Sequence, residues 1–423
     1  MGRRSISIGM IVLLVSCNKE TPAPMPVVPV AQAVNQAPAV TSNASVLIDE
    51  NALGTIYTLT ANDTDGTISR LEMLPNGDAG IFQFDMSSGD LSLTERVIFS
   101  APTDADANNM YDLLFEAEDN DGAITQFAVS ITVEEAVLKA RLAPSDNFEL
   151  IDWRLELPVD DSGEFSGRSA TIQENELANG YQDEFFFTGP DGGLVIRAPT
   201  IGATTPGSSF VRTELREMLR RGDTSISARG SSGIPNENNW AFSSQPAAAQ
   251  ANAGGVDGVL RVTLAVNQVS TTGSNSHVGR FIIGQIHARD DEPIRLYYRK
   301  LPSNSRGVIY AEHEISGGDD IRFEIIGDSS NDASNPADGF TLDERFTYEI
   351  VANGNLLSVT IYNEDGNMVG FTDIDMSASG YDVLEDFMYF KAGTYHVNNT
   401  ASTSEFAQAT FYELTNTHTG YPF

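Results

Sequence analysis

The chain has 423 residues, 41% of them hydrophobic, with one cysteine and a formal net charge of −34. That apolar content supports two or three folded domains and excludes a globally disordered chain. The charge weighs against nucleic acid or an anionic membrane surface as the main partner, because long-range repulsion opposes both, and a lone cysteine excludes an intrachain disulfide or a cysteine zinc cluster.

Arg3 and Arg4 precede an apolar run from Ile6 to Val15, then Leu14-Val15-Ser16-Cys17. The run is too short to span a bilayer and reads as the charged and apolar regions of a secretory signal. It resembles a bacterial lipoprotein signal over residues 1–17, which implies cleavage before Cys17, lipidation of its thiol, and residence at the outer membrane or cell surface. An ordinary signal peptide with free secretion is the alternative. Residues 18–38 carry Pro22, Pro24, Pro26, Pro29 and Pro38, a composition for an extended spacer that buries no core.

Residues 39–135 switch to short alternating strands, such as Ser45-Val46-Leu47-Ile48 and Phe127-Ala128-Val129-Ser130-Ile131-Thr132-Val133, separated by Asp, Asn and Gly turns. This pattern suits a β-sandwich. Acidic clusters recur at Asp49-Glu50-Asn51, Asp63-Thr64-Asp65-Gly66 and Glu118-Asp119-Asn120-Asp121-Gly122. Clustered carboxylates repel one another unless a hard cation sits between them, and Ca²⁺ takes such oxygens; ordinary Asx turns are the other reading. With Phe84-Asp85 and Ser88-Gly89-Asp90-Leu91 the segment resembles a cadherin-type repeat, although Ala101-Pro102-Thr103-Asp104-Ala105-Asp106 departs from that repeat's Leu-Asp-Arg-Glu element. The resemblance implies a spacer or adhesion module with structural calcium at Glu50, Asp63, Asp65 and Asp119. No catalysis is expected here, because all five histidines lie later.

Residues 136–423 form a second β-rich domain. Strand-like runs cover Gly193–Arg197, Val259–Val266, Phe281–His287, Phe346–Val351, Leu357–Tyr362 and Asp386–Tyr395. Their alternation leaves one face packed and the other available, as in a jelly roll with a concave sheet. No phosphate loop or dinucleotide fingerprint is present. In Arg212-Thr213-Glu214-Leu215-Arg216-Glu217-Met218 an extended backbone puts Arg212, Glu214 and Arg216 on one face. Gln285 and His287 straddle Ile286 in the same way, and Tyr389, Lys391, Gly393 and Tyr395 alternate with Phe390 and Ala392. If the three faces line one sheet, a surface gathers arginines for carboxylates with groups able to move protons, Gly393 leaving room for a ligand. A solvated ion-pair ladder is the bland alternative for the Arg212 stretch alone.

These three stretches, in this order, resemble the signature strands of the alginate lyases of polysaccharide lyase family seven. Trp153-Arg154-Leu155-Glu156-Leu157-Pro158 resembles that family's first strand, and His396-Val397 departs from its usual residues after the last tyrosine. The resemblance implies β-elimination on a 1,4-linked uronate polymer, without a catalytic cofactor, by a monomer. It implies Arg212 and Gln285 neutralising the substrate carboxylate with His287 close by, Tyr395 as acid, Tyr395 or His287 as base, Arg216 and Lys391 binding neighbouring carboxylates, and Glu214 orienting the arginines. Ile286 is associated in that family with guluronate-containing blocks. His277, His313, His396 and His418 are expected to be structural, Tyr389 to pack, and Trp153 and Trp240 to lie in the core. Two rivals remain open: a non-catalytic polysaccharide-binding jelly roll, and a glycoside hydrolase, for which Glu214 and Glu217 cannot form the acid pair because odd spacing puts them on opposite faces.

Overall fold

The computed structural model describes residues 34–423 apart from 51, 53, 96, 100, 136–138, 140 and 229. Cys17 and most of the Pro-rich stretch lie outside the described residues.

Residues 39–134 build a small sandwich around its own core. One sheet pairs Ser45–Asp49, Ile124–Glu134, Met110–Asp119 and Ile68–Leu74; the other pairs Thr55–Thr58, Asp90–Leu93 and Phe82–Asp85. The alternation of Met110–Asp119 explains the packing: Tyr111, Leu113, Phe115 and Ala117 are buried, and the first three join Tyr57, Leu91, Val129 and Ile131 in one cluster. Among the described residues, no strand of this sandwich pairs with a strand of the larger one.

The larger sandwich is a jelly roll. Its concave sheet runs, in order, Thr171–Ile172, Trp153–Glu156, Val211–Glu217, Tyr389–His396, Arg280–His287, Ile294–Arg299, Arg306–Glu314 and Asp320–Ile326. The opposing sheet runs Phe186–Thr188, Leu194–Pro199, Phe406–Thr419, Ala253–Gln268, Arg345–Asn353, Leu356–Asn363 and Met368–Asp375. Period-2 alternation carries Leu155, Leu215, Ile286, Phe390 and Ala392 inward to meet Leu260, Val262, Tyr348 and Phe411. Trp153 and Trp240 are fully buried there. The last concave strand starts at Tyr389 rather than Asp386, whose carboxylate accepts from the Arg289 amide at 2.8 Å instead.

Between the sheets Glu217 is an acceptor for four donors: Trp240 Nε1 at 3.1 Å, the Phe390 amide at 3.0 Å, Asn416 Nδ2 at 2.6 Å and His418 Nε2 at 2.8 Å. A carboxylate so deep is tolerable only with its lone pairs filled. Burial pushes the Glu217 carboxyl up, but His418 and the surrounding donors outweigh it and leave it below its ordinary value. Glu217 therefore ties the Arg212 strand to the Tyr395 strand from below, on the face opposite Glu214.

Candidate active site

Register brings the three stretches onto one surface. Arg212 lies opposite Tyr395, Glu214 opposite Gly393 and Arg216 opposite Lys391; Lys391 lies opposite Gln285, and Tyr389 opposite His287. On the outer side Glu156 faces Glu214 and Arg154 faces Arg216. The register slips at Ile282–Gly284 against both neighbours. Ile283 therefore turns into the core, a Cβ on Gly284 would meet the Tyr348 phenol oxygen at 2.5 Å, and Ile282 joins the concave side. The irregularity acts as a bulge does, re-aiming the strand so that Gln285 and His287 face the cleft.

Gly393 has a different role from the one expected. Its φ is +148°, and a Cβ there would lie 2.7 Å from Thr213 O and 2.8 Å from the Glu214 Cα. What needs the missing side chain is the close approach of the neighbouring strand, not ligand space.

Glu214 is the hub of the floor. It pairs with Arg212 Nη1 at 3.1 Å and Lys391 Nζ at 2.5 Å, and accepts a short hydrogen bond from Gln285 Nε2. Lys391 also reaches Glu156 at 3.4 Å, and Arg154 lies 3.6 Å from the same carboxylate. Burial alone would raise the Glu156 carboxyl, but Lys391, Arg212 and Arg154 hold it at about 2. For Lys391, burial and Arg212 lower the ammonium while Glu156 and Glu214 raise it, leaving it above its ordinary value. The cluster holds four formal cations, Arg154, Arg212, Arg216 and Lys391, against two carboxylates, Glu156 and Glu214. Arg154 Nε, Arg212 Nε and Asn239 Nδ2 are buried donors without an acceptor. A site with surplus positive charge and unfilled donors suits an anionic, oxygen-rich ligand.

Arg216 departs from its expected role. Its guanidinium, 2% exposed, donates to Glu217 O at 2.9 Å, Met218 Sδ at 2.7 Å and Asn239 Oδ1 at 2.9 Å, and lies 4.0 Å from the Tyr389 ring centroid. Burial, then Arg154, lowers it to about 10. Glu214 thus orients Arg212, Gln285 and Lys391, and the second arginine supports the floor from within. Arg154, partly exposed, lies opposite Arg216 on the neighbouring strand, 3.6 Å from Glu156.

His287 stacks on Tyr389 with centroids 5.0 Å apart and planes 12° apart. Its Nδ1 is 2.6 Å from Ala288 O, so that nitrogen carries the proton and Nε2 keeps its lone pair, 3.4 Å from Glu292 Oε1. Burial, then Lys391 and Arg212, brings the imidazolium down to about 4. The ring is neutral at ordinary pH and able to accept a proton. Tyr395 lies beneath Arg212, 3.6 Å from guanidinium carbon to ring centroid, with its hydroxyl 2.8 Å from Ser208 Oγ.

The remaining histidines have structural surroundings: His313 bridges Pro293 O and Ser379, His396 lies 3.3 Å from Pro199 O, His418 holds Glu217, and His277 packs edge-on against Phe210. Arg154 and Glu156 were missed as site residues although the alternation of Trp153-Arg154-Leu155-Glu156 carries the same signal as the other strands. Asn239 and Ser208 have no such signal.

The four proposed calcium ligands do not form one site. Glu50 follows the strand that ends beside Glu134, where it accepts from the Phe99 amide at 2.9 Å; Asp119 closes the strand before the turn into Ile124, at the opposite end of the long Ile124–Glu134 strand. Asp119 already accepts from Asn35 Nδ2, Asp121 N and Ala123 N, and Asp65 from Gln36 N. Asp63 Oδ2 is buried without a partner, and it and Asn120 Oδ1 lie 2.4 and 2.5 Å from where a Gly66 Cβ would sit. Two oxygens therefore lie close together at the Asp63 end, although no group of three or more Asp, Glu, His or Cys side chains placed to hold a metal ion is found among the described residues, and Glu50 is excluded from that end by position.

The model of the family described as "Alginate lyase" matches residues 148–418. An alginate lyase from Klebsiella pneumoniae is 48% identical over 287 residues, 65% of this chain and 91% of that protein. A crystal structure of the alginate lyase from Klebsiella pneumoniae superimposes with a TM-score of 0.62 at 47% identity, covering 65% of this chain and 98% of that one. A structure of alginate lyase A1-II', a member of polysaccharide lyase family 7, is 24% identical with a TM-score of 0.46 over 66% of this chain and 99% of its own. The jelly-roll sandwich, its cationic concave floor and this match over most of the chain lead to one assignment: the chain belongs to the alginate lyase family and is a polysaccharide lyase that cleaves alginate.

Proposed function

We propose that the concave cleft carries out β-elimination with Arg212, Gln285, His287 and Tyr395 in direct contact with the reacting uronate. The observation that carries this reading is the surplus of cation around Glu214 beside His287, whose ring stacks on Tyr389 and whose Nδ1 is tied to Ala288 O, leaving Nε2 as the nitrogen that can take a proton. The C5 proton is too weakly acidic to remove while the adjacent carboxylate is fully charged, so the enolate-like anion has to be stabilised as it forms. Arg212 and Gln285, both held by Glu214, are the donors for that carboxylate, and Lys391 adds positive charge from below. A base removes the C5 proton, the C4–O4 bond breaks as the C4=C5 double bond forms, and Tyr395 gives its proton to O4. In guluronate the proton and leaving group lie on opposite sides, which suits His287 as base; in mannuronate they lie on one side, which suits Tyr395 in both roles.

We propose a preference for guluronate-containing blocks. Ile286 is buried in the core rather than in the cleft, so its influence passes through the placement of Gln285 and His287 on either side. Initial rates on pure mannuronate and guluronate blocks test this, and a faster rate on mannuronate would reverse it. For the reaction itself, ultraviolet absorbance of the unsaturated product is the readout. On guluronate blocks, Tyr395→Phe and His287→Ala should each lose turnover while remaining folded, and near-normal activity there in either removes that residue from the mechanism.

The N-terminal features complete the proposal: a cadherin-like spacer, calcium near Asp63, Asp65 and Asp119, a lipid on Cys17, export to the outer membrane or cell surface, and a monomeric state. The buried, unpartnered Asp63 Oδ2 supports the calcium; an unchanged melting curve with chelator would remove it. Loss of fatty-acid labelling in Cys17→Ser tests the anchor, and light scattering tests the monomer.

A further inference from the structure

We infer that Ser208 is a positioning residue for Tyr395, supplying a rotatable hydroxyl matched to both protonation states of the phenol; this rests on the reading of Tyr395 as the group that protonates O4. The loop that carries it is built to aim it. In Thr205-Pro206-Gly207-Ser208 the Ser208 amide donates to Thr205 O at 3.0 Å and Gly207 has φ +84°. Proline at the second position and a left-handed glycine at the third are what a type II turn demands. The turn delivers Ser208 directly before the Arg212 strand, with its Oγ 2.8 Å from the Tyr395 hydroxyl.

The partners of that Oγ set the direction of the hydrogen bonds. It accepts from the Phe210 amide at 3.1 Å and lies 3.0 Å from Phe210 O. A serine hydroxyl has one proton and two lone pairs. With Tyr395 neutral, the phenol donates to Ser208 and the serine proton goes to Phe210 O. When Tyr395 passes its proton to O4, the phenolate left behind needs a donor, and the serine proton turns from Phe210 O to the phenolate oxygen. One proton moves from Tyr395 to the leaving oxygen; Ser208 keeps its own. Phe210 packs edge-on against the Tyr395 ring at 6.4 Å, and Arg212 covers its face at 3.6 Å. The phenol is thus held by ring contacts on two sides and, among the described residues, by one side-chain hydrogen bond at its oxygen.

The test separates the hydroxyl from the shape of the side chain. Ser208→Thr and Ser208→Val are nearly isosteric and differ in the hydroxyl alone, which carries both the proton offered to the phenolate and the lone pairs offered to the Phe210 amide and the phenol. On saturating alginate, kcat of Ser208→Val should fall about 10- to 100-fold, the effect of one hydrogen bond to a charged group, with KM within about threefold because no substrate contact is lost. Ser208→Thr should keep kcat within about threefold, and Ser208→Val/Tyr395→Phe should be no slower than Tyr395→Phe, because the serine acts through the phenol. Equal rates for the threonine and valine variants, whether both parent-like or both slow, overturn the role of the hydroxyl while leaving Tyr395 in place. Near-normal turnover of Tyr395→Phe overturns both readings together.

Discussion

Replacing Arg212 by lysine keeps the charge and removes the fork, and so tests whether the cleft works by net positive potential or by directed donors. In the parent, Arg212 is 6% exposed, spends Nη1 on Glu214 at 3.1 Å, stacks on Tyr395 at 3.6 Å and keeps Nε buried without a partner. A lysine ammonium can keep the Glu214 pair but cannot also lie flat on the ring and present a second donor. Loss of the stacked contact is worth about 1–2 kcal/mol, a fall of roughly 2–8 °C in melting temperature. Loss of a donor aimed at charge that develops in the transition state should lower kcat about 10²- to 10³-fold, with KM within a few fold. Initial rates by ultraviolet absorbance over a range of alginate concentrations up to saturation give kcat and KM, and urea unfolding gives the change in stability. A kcat within tenfold of the parent, or a loss wholly in KM, would refute the directed-donor argument and leave only electrostatic attraction.

Glu217→Gln leaves an amide N–H among the four buried donors that now meet the carboxylate, so it should destabilise by about 2–3 kcal/mol; an unchanged urea midpoint would show that the pocket rearranges freely. Gly393→Ala puts a Cβ within 2.8 Å of the Arg212 strand backbone and should lower both stability and kcat, the two strands being forced apart; parent-like values for both would show the contact to be soft. His396, which burial lowers to about 4, refuses a proton that the unfolded chain takes up below its ordinary value of about 6.5, so it removes stability as pH falls from 6.5 toward 4. Asp386 and Glu314, raised to about 6 and about 7, work in the opposite sense over much of the same window. The informative quantity is therefore a difference: His396→Gln should gain on the parent as pH falls, by up to about 3 kcal/mol, and a pH-independent difference in urea midpoint would contradict this.

What sequence disclosed and what it concealed divide along a physical line. A strand fixes which side chains share a face, so Arg212, Glu214, Gln285, His287, Lys391 and Tyr395 could be grouped from alternation once their strands were set side by side, and the opposite facing of Glu214 and Glu217 followed from odd spacing. Alternation does not say how far a side chain rises from the floor. Arg216 shares the face of Arg212, yet Met218, Asn239 and Tyr389 hold it within the floor, and two of those neighbours come from distant stretches. Alternation alone places Gly393 against ligand space, because the constraint on it comes from another strand's backbone, which no local pattern shows. Ser208 had no period to betray it, since its direction is set by a Pro-Gly turn. Glu50 could be grouped with Asp63 and Asp119 by composition, but only the fold shows that a long strand separates them.

The charge balance has the same character. At −34 the chain as a whole repels a polyuronate, and the attraction comes from four cations against two carboxylates at the base of one cleft. Repulsion among exposed carboxylates is screened over a Debye length of about 8 Å at physiological ionic strength, while buried cations act in a medium that screens them far less. Salt therefore weakens the unfavourable field before the favourable one, and on the proposed reading a uronate is held where its carboxylate descends to Arg212. On the mechanism proposed above, Gln285, His287 and Tyr395 act at that same place, so the electrostatics that permit binding would also select the register in which the C5 proton is within reach.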